Sequence, residues 1–214
     1  MEYVQDTLLN DSNWNFWDFN FTIVELADKI QPGNATAYDF DMSPFYEQGG
    51  KLLQYHGLSD ALIATGSSIY FYKEVLKTLI PKGIELDSWY RFFLVPGMQH
   101  CLGTPTDINA PWYFAGANQA GDIGVSPGSV YSVPGFMDAK HDALLALMAW
   151  VENGTAPDSI IATKWHNDTL TDKVMRQRPL CPYPKQAQYL GHGDPNAAEN
   201  WECGYLWDLK EQHY

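Results

Sequence analysis

The sequence predicts an α/β fold in which parallel strands are joined by crossover helices, because apolar segments with strand and helix patterns alternate along it. Two apolar runs of strand character, at residues 52–56 and 92–95, each end in a short loop. A stretch with helical spacing of apolar side chains follows each run. Strand, helix, strand, helix is the order of a βαβ unit, whose strands carry ligand chemistry at their carboxyl ends.

The first 48 residues read differently from the rest of the chain. Aromatic side chains alternate with Asn and Asp at residues 14–21, and a short helical stretch at 24–30 stops at Pro32-Gly33. We interpret residues 1–48 as a connecting segment that packs on a larger part of the protein. Residues 49–214, which open on Gly49-Gly50, are predicted to form the ordered α/β part of the chain.

The first βαβ unit is predicted from strand, loop and helix signals in turn. A strand at residues 51–55 leads through a loop at 56–65 to a helix. Ser67 or Ser68 is the expected N-cap, and the helix is expected to end near Leu79, before Pro81 and Gly83. Its buried face is predicted to hold Ile69, Tyr72, Val75 or Leu76, and Leu79.

The second half of the chain begins with a strand at residues 90–95, followed by a long loop rich in Gly, Pro and Trp that runs to Tyr131. A helix is predicted at residues 137–152, ending at Asn153-Gly154, a pair that suits a left-handed exit. The tail from Ile160 is predicted to be irregular. The apolar stripe of the helix comprises Leu144, Leu147, Met148 and Val151.

The charge of the chain narrows the partners that it can bind. Its formal net charge is -13, with only 13 Lys and Arg, whereas binding to nucleic acid or to an anionic membrane relies on clustered basic side chains. We therefore expect neither partner. The longest apolar helix-like run, residues 143–151, is far shorter than the roughly 20 residues that a membrane span needs.

Two features predict a secreted, extracellular protein. Three cysteines suit an oxidising compartment: Cys181 and Cys203 bracket a Pro- and Gly-rich loop that suits a disulfide, and Cys101 is then free or bonded outside the chain. Glycosylation acceptor sites are dense, at Asn10, Asn20, Asn34, Asn153 and Asn167.

Residues 1–11 carry no secretory signal pattern. Because a secreted protein needs such a signal, we expect this chain to be the C-terminal product of a longer precursor.

Asp60 and His100 are the candidate catalytic residues, because each lies in the loop after one of the two predicted strands. An acid followed by a histidine matches the last two members of the Ser, acid, His chain order of α/β-hydrolases. His100 would act as general base, and Asp60 would fix its tautomer and stabilise the imidazolium. No serine between them suits the nucleophile, which we expect upstream. The alternative is that Asp60 caps a helical turn and His100 bonds loop backbone.

Other candidate sites are weaker. Residues 124–128, GVSPG, match the nucleophile-elbow pattern, but Pro127 has no N–H for the oxyanion hole and Ser126 follows both candidate catalytic residues. The cysteines and histidines lack the close ligand spacing of a zinc site, so no metal ligand is predicted in this chain. His56, one turn before Asp60, either lines the pocket or packs at the strand end.

These segments resemble the C-terminal half of the fungal tannase and feruloyl esterase family. The resemblance covers about residues 45–205 and rests on residues 49–60 (GGKLLQYHGLSD), 90–101 (YRFFLVPGMQHC) and 142–158. It implies the C-terminal part of an α/β-hydrolase fold, lacking the nucleophile half and the lid, with Asp60 as acid and His100 as base.

The same resemblance gives Cys101 a role. It implies that Cys101 bonds a cysteine beside the catalytic serine, and so fastens this chain to an upstream chain that carries the serine and the lid. No cofactor would serve catalysis. Structural calcium would belong to the lid rather than to this chain.

The function implied by the resemblance is that of a secreted serine esterase acting on esters of plant phenolic acids. Between gallate esters, the substrates of tannase, and ferulate or other hydroxycinnamate esters, we favour gallate, because tannase-like processing into two chains would explain where the polypeptide begins. The competing hypothesis is a glycosylated binding module without activity. In it Trp112, Tyr113 and Phe114 would stack on sugars or phenolics, although such clusters more often lie in a core.

Overall fold

The computed structural model describes residues 1–115, 119, 135–168 and 173–206. Within it the chain divides into two compact units, Met1–Phe40 and Asp41–Tyr214. The elbow-like residues 124–128, and with them Ser126 and Pro127, lie outside the described residues.

The first unit is helical. The Asn20 side chain caps its main helix by accepting a hydrogen bond from the Thr22 N–H at 3.0 Å. The helix therefore begins earlier than the predicted residue 24, and it ends where Pro32 was predicted to stop it. The elements of the unit are a π-helical turn at Tyr3–Leu9, a 3-10 turn at Phe16–Asp18, α1 at Phe21–Ile30 and a 3-10 turn at Pro32–Asn34.

The second unit opens with a short helix and then forms the predicted βαβ unit. The two strands pair in parallel, with Leu52 beside Tyr90 at one end and Gly57 beside Val95 at the other. Both strands therefore end at the same edge, as predicted. The elements are α2 at Ser43–Glu47, β1 at Leu52–Gly57, α3 at Thr65–Leu79, 3-10 turns at Ile80–Lys82 and Leu86–Ser88, and β2 at Tyr90–Val95.

Helix α3 packs through the predicted face but begins earlier than predicted. Tyr72, Val75 and Leu79 are buried. The predicted N-cap at Ser67 or Ser68 was wrong, since the helix begins at Thr65 and neither serine caps it. The Thr65 hydroxyl instead donates to the Gly57 carbonyl at 2.7 Å, which ties the start of α3 to the end of β1.

Helix α4, Ala143–Asn153, differs from the prediction in its start and in its buried face. The Asp142 carboxylate accepts from the N–H groups of Leu144 and Leu145 at 2.8 and 3.0 Å, so the helix begins at residue 143 rather than 137. Small alanines and one large aromatic form the buried face. The buried residues are Ala143, Ala146 and Trp150, whereas Leu144, Met148 and Val151 of the predicted stripe are exposed.

The tail from Ile160 is not irregular, and that prediction was wrong. Arg176 and Arg178 obscure the strand pattern there, yet the Arg178 guanidinium stacks over the Trp201 ring at 4.1 Å, so a charged side chain occupies a packed position. A disulfide joins Cys181 to Cys203, with an S–S distance of 1.99 Å. Two antiparallel pairs form the tail: β3 at Ile160–Trp165 with β4 at Val174–Leu180, and β5 at Gln186–Tyr189 with β6 at Trp201–Gly204.

The core lies where β2, α4 and β3 meet residues 112–115. Trp112, Tyr113 and Phe114 are all fully buried in it. The N–H groups of Trp112 and Tyr113 donate to the Thr163 carbonyl at 3.1 and 3.0 Å, which adds this segment to the edge of β3. The three aromatic rings therefore form core, and they do not provide the stacking surface that the binding-module hypothesis required.

Candidate active site

Asp60 lies in the turn that follows β1, and backbone hydrogen bonds fix its side chain. Its Oδ1 accepts from the N–H groups of Leu62 and Ile63, both at 2.9 Å, an arrangement that Asp favours in turns. The side chain is only 2% exposed. One carboxylate oxygen is thus engaged within its own turn, and Oδ2 is left to face the loop after β2.

His100 comes from that second loop and contacts Asp60 directly. Its Nδ1 lies 2.8 Å from Asp60 Oδ2, and its side chain is 48% exposed. An ionised carboxylate can only accept a hydrogen bond, so Nδ1 carries the hydrogen and the lone pair lies on Nε2, across the ring. This is the tautomer that a general base facing a substrate requires. The structure therefore brings together the two residues that the sequence singled out.

The two loops approach closely because β1 ends in Gly57. A Cβ at this position would collide with the carbonyl oxygens of Met98 and Gln99. The Ser59 N–H donates to the Met98 carbonyl at 3.0 Å, which fastens the Asp60 turn to the His100 loop. The close approach, rather than an unusual backbone angle, requires glycine here.

The hydrogen bonds around Asp60 decide its charge. Burial alone would favour the protonated acid, but the N–H of Ile63, the His100 ring and the N–H of Leu62 outweigh it and hold the pKa of Asp60 well below its ordinary value. The carboxylate is therefore ionised at neutral pH. An anion at this place is what a triad histidine needs to stabilise its imidazolium.

Cys101 follows His100 directly and adopts a positive φ of 63°. It is half-buried and forms no disulfide within the described part of the chain. Burial raises the pKa of its thiol, and the Asp60 carboxylate raises it further. Because a nucleophilic cysteine needs a lowered pKa, this thiol does not suit covalent catalysis. Its bond to a cysteine outside the chain stays a prediction.

Gln119 is a residue of this region that sequence analysis missed. It is fully buried, and its Oε1 accepts from the N–H groups of Phe114 and Ala115, both at 3.0 Å. Its Nε2 donates to the Trp112 carbonyl at 3.0 Å and to the Cys101 carbonyl at 3.3 Å. The amide therefore anchors the loop after His100 to the core. A single glutamine in a Gly- and Pro-rich loop gives no periodic signal that could have revealed it.

His56 packs at the end of β1 and is only 8% exposed. Its Nε2 lies 3.2 Å from Asp60 Oδ2, and its Nδ1 lies 2.7 Å from Ser68 Oγ. Of the two interpretations open from the sequence, the packed strand-end histidine matches the structure. Its contact with the Asp60 carboxylate was not expected.

A cavity of about 300 Å³ lies beside the two loops but does not contain the candidate pair. Leu58 and Pro96 of the loops line it, together with Tyr183 and Trp201 of the tail, whereas Asp60 and His100 do not. Among the described residues, no group of three or more His, Cys, Asp or Glu side chains is arranged to hold a metal ion.

The predicted glycosylation acceptors are accessible. In each case the asparagine is exposed, which the attachment of a glycan requires, while the modification itself stays a prediction. In the part of the chain that the structure describes, no helix is both long and apolar enough to cross a membrane. The exposed acceptors are Asn10, Asn20, Asn34, Asn153 and Asn167.

A buried carboxylate bonded to an exposed histidine, on the loops that follow two parallel strands, is the acid and base arrangement of hydrolases that use a Ser, acid, His triad. The chain belongs to the family described as "Tannase and feruloyl esterase", whose model matches residues 5–204.

Individual relatives are similar over most of the chain. A probable feruloyl esterase B-1 of Aspergillus oryzae is 33% identical over 202 residues, which is 94% of this chain and 34% of the relative. The crystal structure of feruloyl esterase B from Aspergillus oryzae is 32% identical, with a TM-score of 0.74 over 94% of this chain and 36% of that one. The chain thus spans about a third of the length of these relatives.

A tannin acyl hydrolase from Aspergillus niger is more distant. It is 23% identical, with a TM-score of 0.64 over 100% of this chain and 34% of that chain. At this identity the likeness indicates a shared fold alone.

Proposed function

We propose that this chain supplies the acid and the base of a serine esterase that hydrolyses esters of plant phenolic acids. The observation that carries the proposal is the 2.8 Å contact between Asp60 Oδ2 and His100 Nδ1, at the ends of two parallel strands in a chain of the tannase and feruloyl esterase family. The relatives are about three times as long, so the nucleophilic serine is assigned to sequence outside this chain. The described part is then the C-terminal portion of an α/β-hydrolase fold.

The geometry suits each proton transfer of an acyl-enzyme mechanism. The serine hydroxyl attacks the ester carbonyl and its proton passes to His100 Nε2, while Asp60 holds Nδ1–H and stabilises the imidazolium. The same Nε2–H then protonates the leaving alcohol, and the acyl-enzyme forms. Nε2 next takes a proton from the water that attacks the acyl group, and it returns this proton to the serine oxygen as the carboxylic acid leaves. These steps are complete without a redox cofactor.

The acid part of the substrate is proposed to be a hydroxycinnamate, such as ferulate. The relatives above 30% identity carry feruloyl esterase in their names, whereas the tannin acyl hydrolase is 23% identical. These identities support ferulate over the gallate esters that the sequence analysis favoured. Gallate esters are kept as the alternative substrate.

The setting of the enzyme is proposed to be extracellular, with the serine-bearing and lid-bearing segment as partner. Five exposed acceptor asparagines and the Cys181–Cys203 disulfide support an oxidising, secretory route. Cys101, next to His100, is proposed to form a disulfide with a cysteine beside the serine. Such a bridge would hold the two catalytic loops at the distance that acyl transfer requires.

The test is His100→Ala in the full-length protein, assayed with methyl ferulate and methyl gallate side by side. We expect turnover of both esters to fall below detection and the wild-type protein to favour ferulate. His141→Ala is the matched control, because His141 also bonds an aspartate, Asp138, at 2.8 Å but lies in the turn before α4. Turnover retained in the His100 variant removes the proposal.

A further inference from the structure

His56 is a buried imidazole that the proposed mechanism does not use. It lies in β1, four residues before Asp60. Its Nε2 is 3.1 Å from the Ile63 carbonyl oxygen and 3.2 Å from Asp60 Oδ2. Its Nδ1 is 2.7 Å from Ser68 Oγ on α3. Both ring nitrogens therefore have polar partners, and one partner is the carboxylate that bonds His100.

The partners determine where the ring carries its hydrogen. A carbonyl can only accept, so Nε2 carries the hydrogen and donates to Ile63, and Nδ1 is left to accept from the Ser68 hydroxyl. Ser68 Oγ accepts in turn from Gln54 Nε2 at 3.2 Å. The Tyr90 hydroxyl donates to Gln54 Oε1. A chain of hydrogen bonds thus runs from β2 through β1 and α3 to His56.

These hydrogen bonds connect, through His56, to the turn that holds Asp60. Ile63 donates its N–H to Asp60 Oδ1 at 2.9 Å and offers its carbonyl to His56. The residues Leu62 and Ile63 are 76% and 50% exposed, so packing within this chain does little to hold the turn. The backbone hydrogen bonds are what hold it. The hydrogen on Nε2 also faces the Asp60 carboxylate, with 3.2 Å between Nε2 and Oδ2.

We propose that His56 is a positioning residue: it holds the Asp60 turn through the Ile63 carbonyl and so keeps Asp60 Oδ2 on His100 Nδ1. This inference rests on the proposed function, because it gives His56 a role only if the Asp60 and His100 pair carries out catalysis. Ser68, His56 and Asp60 also have the composition of a triad. In a triad the serine faces Nε2 and the acid holds Nδ1. Here Ser68 faces Nδ1, and Nε2 lies between the Ile63 carbonyl and Asp60, so we assign Ser68 to the support of the ring.

The test compares His56→Leu, His56→Gln and Ser68→Ala in the full-length enzyme with methyl ferulate. Leu removes both hydrogen bonds, and we expect kcat to fall about 10- to 100-fold with KM within about twofold, as for a misplaced catalytic group. Gln keeps an amide nitrogen near the place of Nε2, and most of kcat should return. Ser68→Ala should cost less than about tenfold. His141→Leu, which removes an imidazole outside this network, should keep the wild-type kcat.

A second comparison asks whether His56 acts through Asp60. In an Asp60→Asn background, His56→Leu should cause no further loss of kcat, because the group that it positions no longer works. The inference is overturned if the two losses of kcat multiply instead. It is also overturned by a His56→Leu enzyme with wild-type kcat, or by a His56→Gln variant as slow as His56→Leu. Loss of all turnover in Ser68→Ala would overturn it too, by making Ser68 the nucleophile.

The outcomes separate this inference from the proposed function. If Asp60→Asn and His100→Ala both remain active, the proposed function fails. If both are inactive while His56→Leu is unchanged, only the role of His56 fails. If circular dichroism shows that His56→Leu does not fold, the His56→Gln and Ser68→Ala variants decide. A Ser68→Ala enzyme with lowered kcat and unchanged KM supports the inference, and one identical to wild type contradicts it.

Discussion

Asp60→Asn is the substitution whose effect follows most directly from the structure. The asparagine must keep its oxygen where Oδ1 stands, because the N–H groups of Leu62 and Ile63 both donate to that position at 2.9 Å. Its NH₂ group then stands where Oδ2 was, 2.8 Å from His100 Nδ1. Two donors cannot share a hydrogen bond, so the His100 ring moves its hydrogen to Nε2.

The expected result is a folded enzyme with the wrong histidine tautomer. An Nε2 that carries a hydrogen cannot take the proton of the serine, and kcat should fall about 10⁴-fold, the order seen when a triad aspartate is changed to asparagine. The backbone hydrogen bonds survive, so KM should change little. The assay is hydrolysis of methyl ferulate by the full-length protein, with folding followed by circular dichroism.

Asp138→Asn is the matched control for this experiment. Asp138 also accepts from two backbone N–H groups, at 2.9 and 3.1 Å, and also bonds a histidine Nδ1 at 2.8 Å. All three of these contacts fall on Oδ1 of Asp138, so an asparagine there keeps them and leaves the His141 ring unchanged, and only the Asp60 site should affect kcat. An Asp60→Asn enzyme with kcat within tenfold of wild type would refute the reasoning.

Three further predictions concern the loops that carry the pair. Cys101→Ser should lower the free energy of unfolding of the full-length protein by about 2–5 kcal/mol, measured by urea denaturation, if its thiol is bridged outside this chain; an unchanged midpoint would exclude the bridge. Because the pKa of Asp60 is lowered on folding, its contribution to stability is present above its ordinary pKa of about 3.9 and is lost as the pH falls below that value. Melting temperatures measured from pH 6 to pH 2.5 should therefore decline more steeply in acid for wild type than for Asp60→Asn. Parallel curves would contradict this prediction. Gly57→Ala should cost about 1–3 kcal/mol of stability and should also lower kcat, because the added Cβ would push the two loops apart. The control is Gly66→Ala, in open space within α3. It should be neutral or stabilising by up to about 1 kcal/mol in the same denaturation experiment.

The βαβ unit and its two loop residues could be predicted from the sequence because they depend on local periodicity. The runs that became β1 and β2 are apolar and short, and the spacing of Tyr72, Val75 and Leu79 matches one face of a helix. Parallel pairing then follows from the crossover, and parallel pairing brings the loops after the strands to one edge. Asp60 and His100 meet for that reason.

The features that were missed depend on contacts between distant parts of the chain. The buried face of α4 is set by the close packing of Ala143 and Ala146, whereas their small size gave them less weight than the leucines beside them. Strand β4 hides its pattern because Arg178 packs on Trp201. The hydrogen bonds from His56 to Ser68 and Ile63 join a strand, a helix and a turn, and no spacing rule connects those three residues.

We propose that Asp60 and His100 activate a serine that lies outside this chain. A fluorophosphonate probe that labels activated serines, applied to the full-length protein and followed by peptide mapping, tests it most directly. We expect one labelled serine, outside the 214 residues of this sequence, and loss of the label in His100→Ala. Label on Ser68, Ser126 or any other serine of this chain would contradict the assignment of the nucleophile.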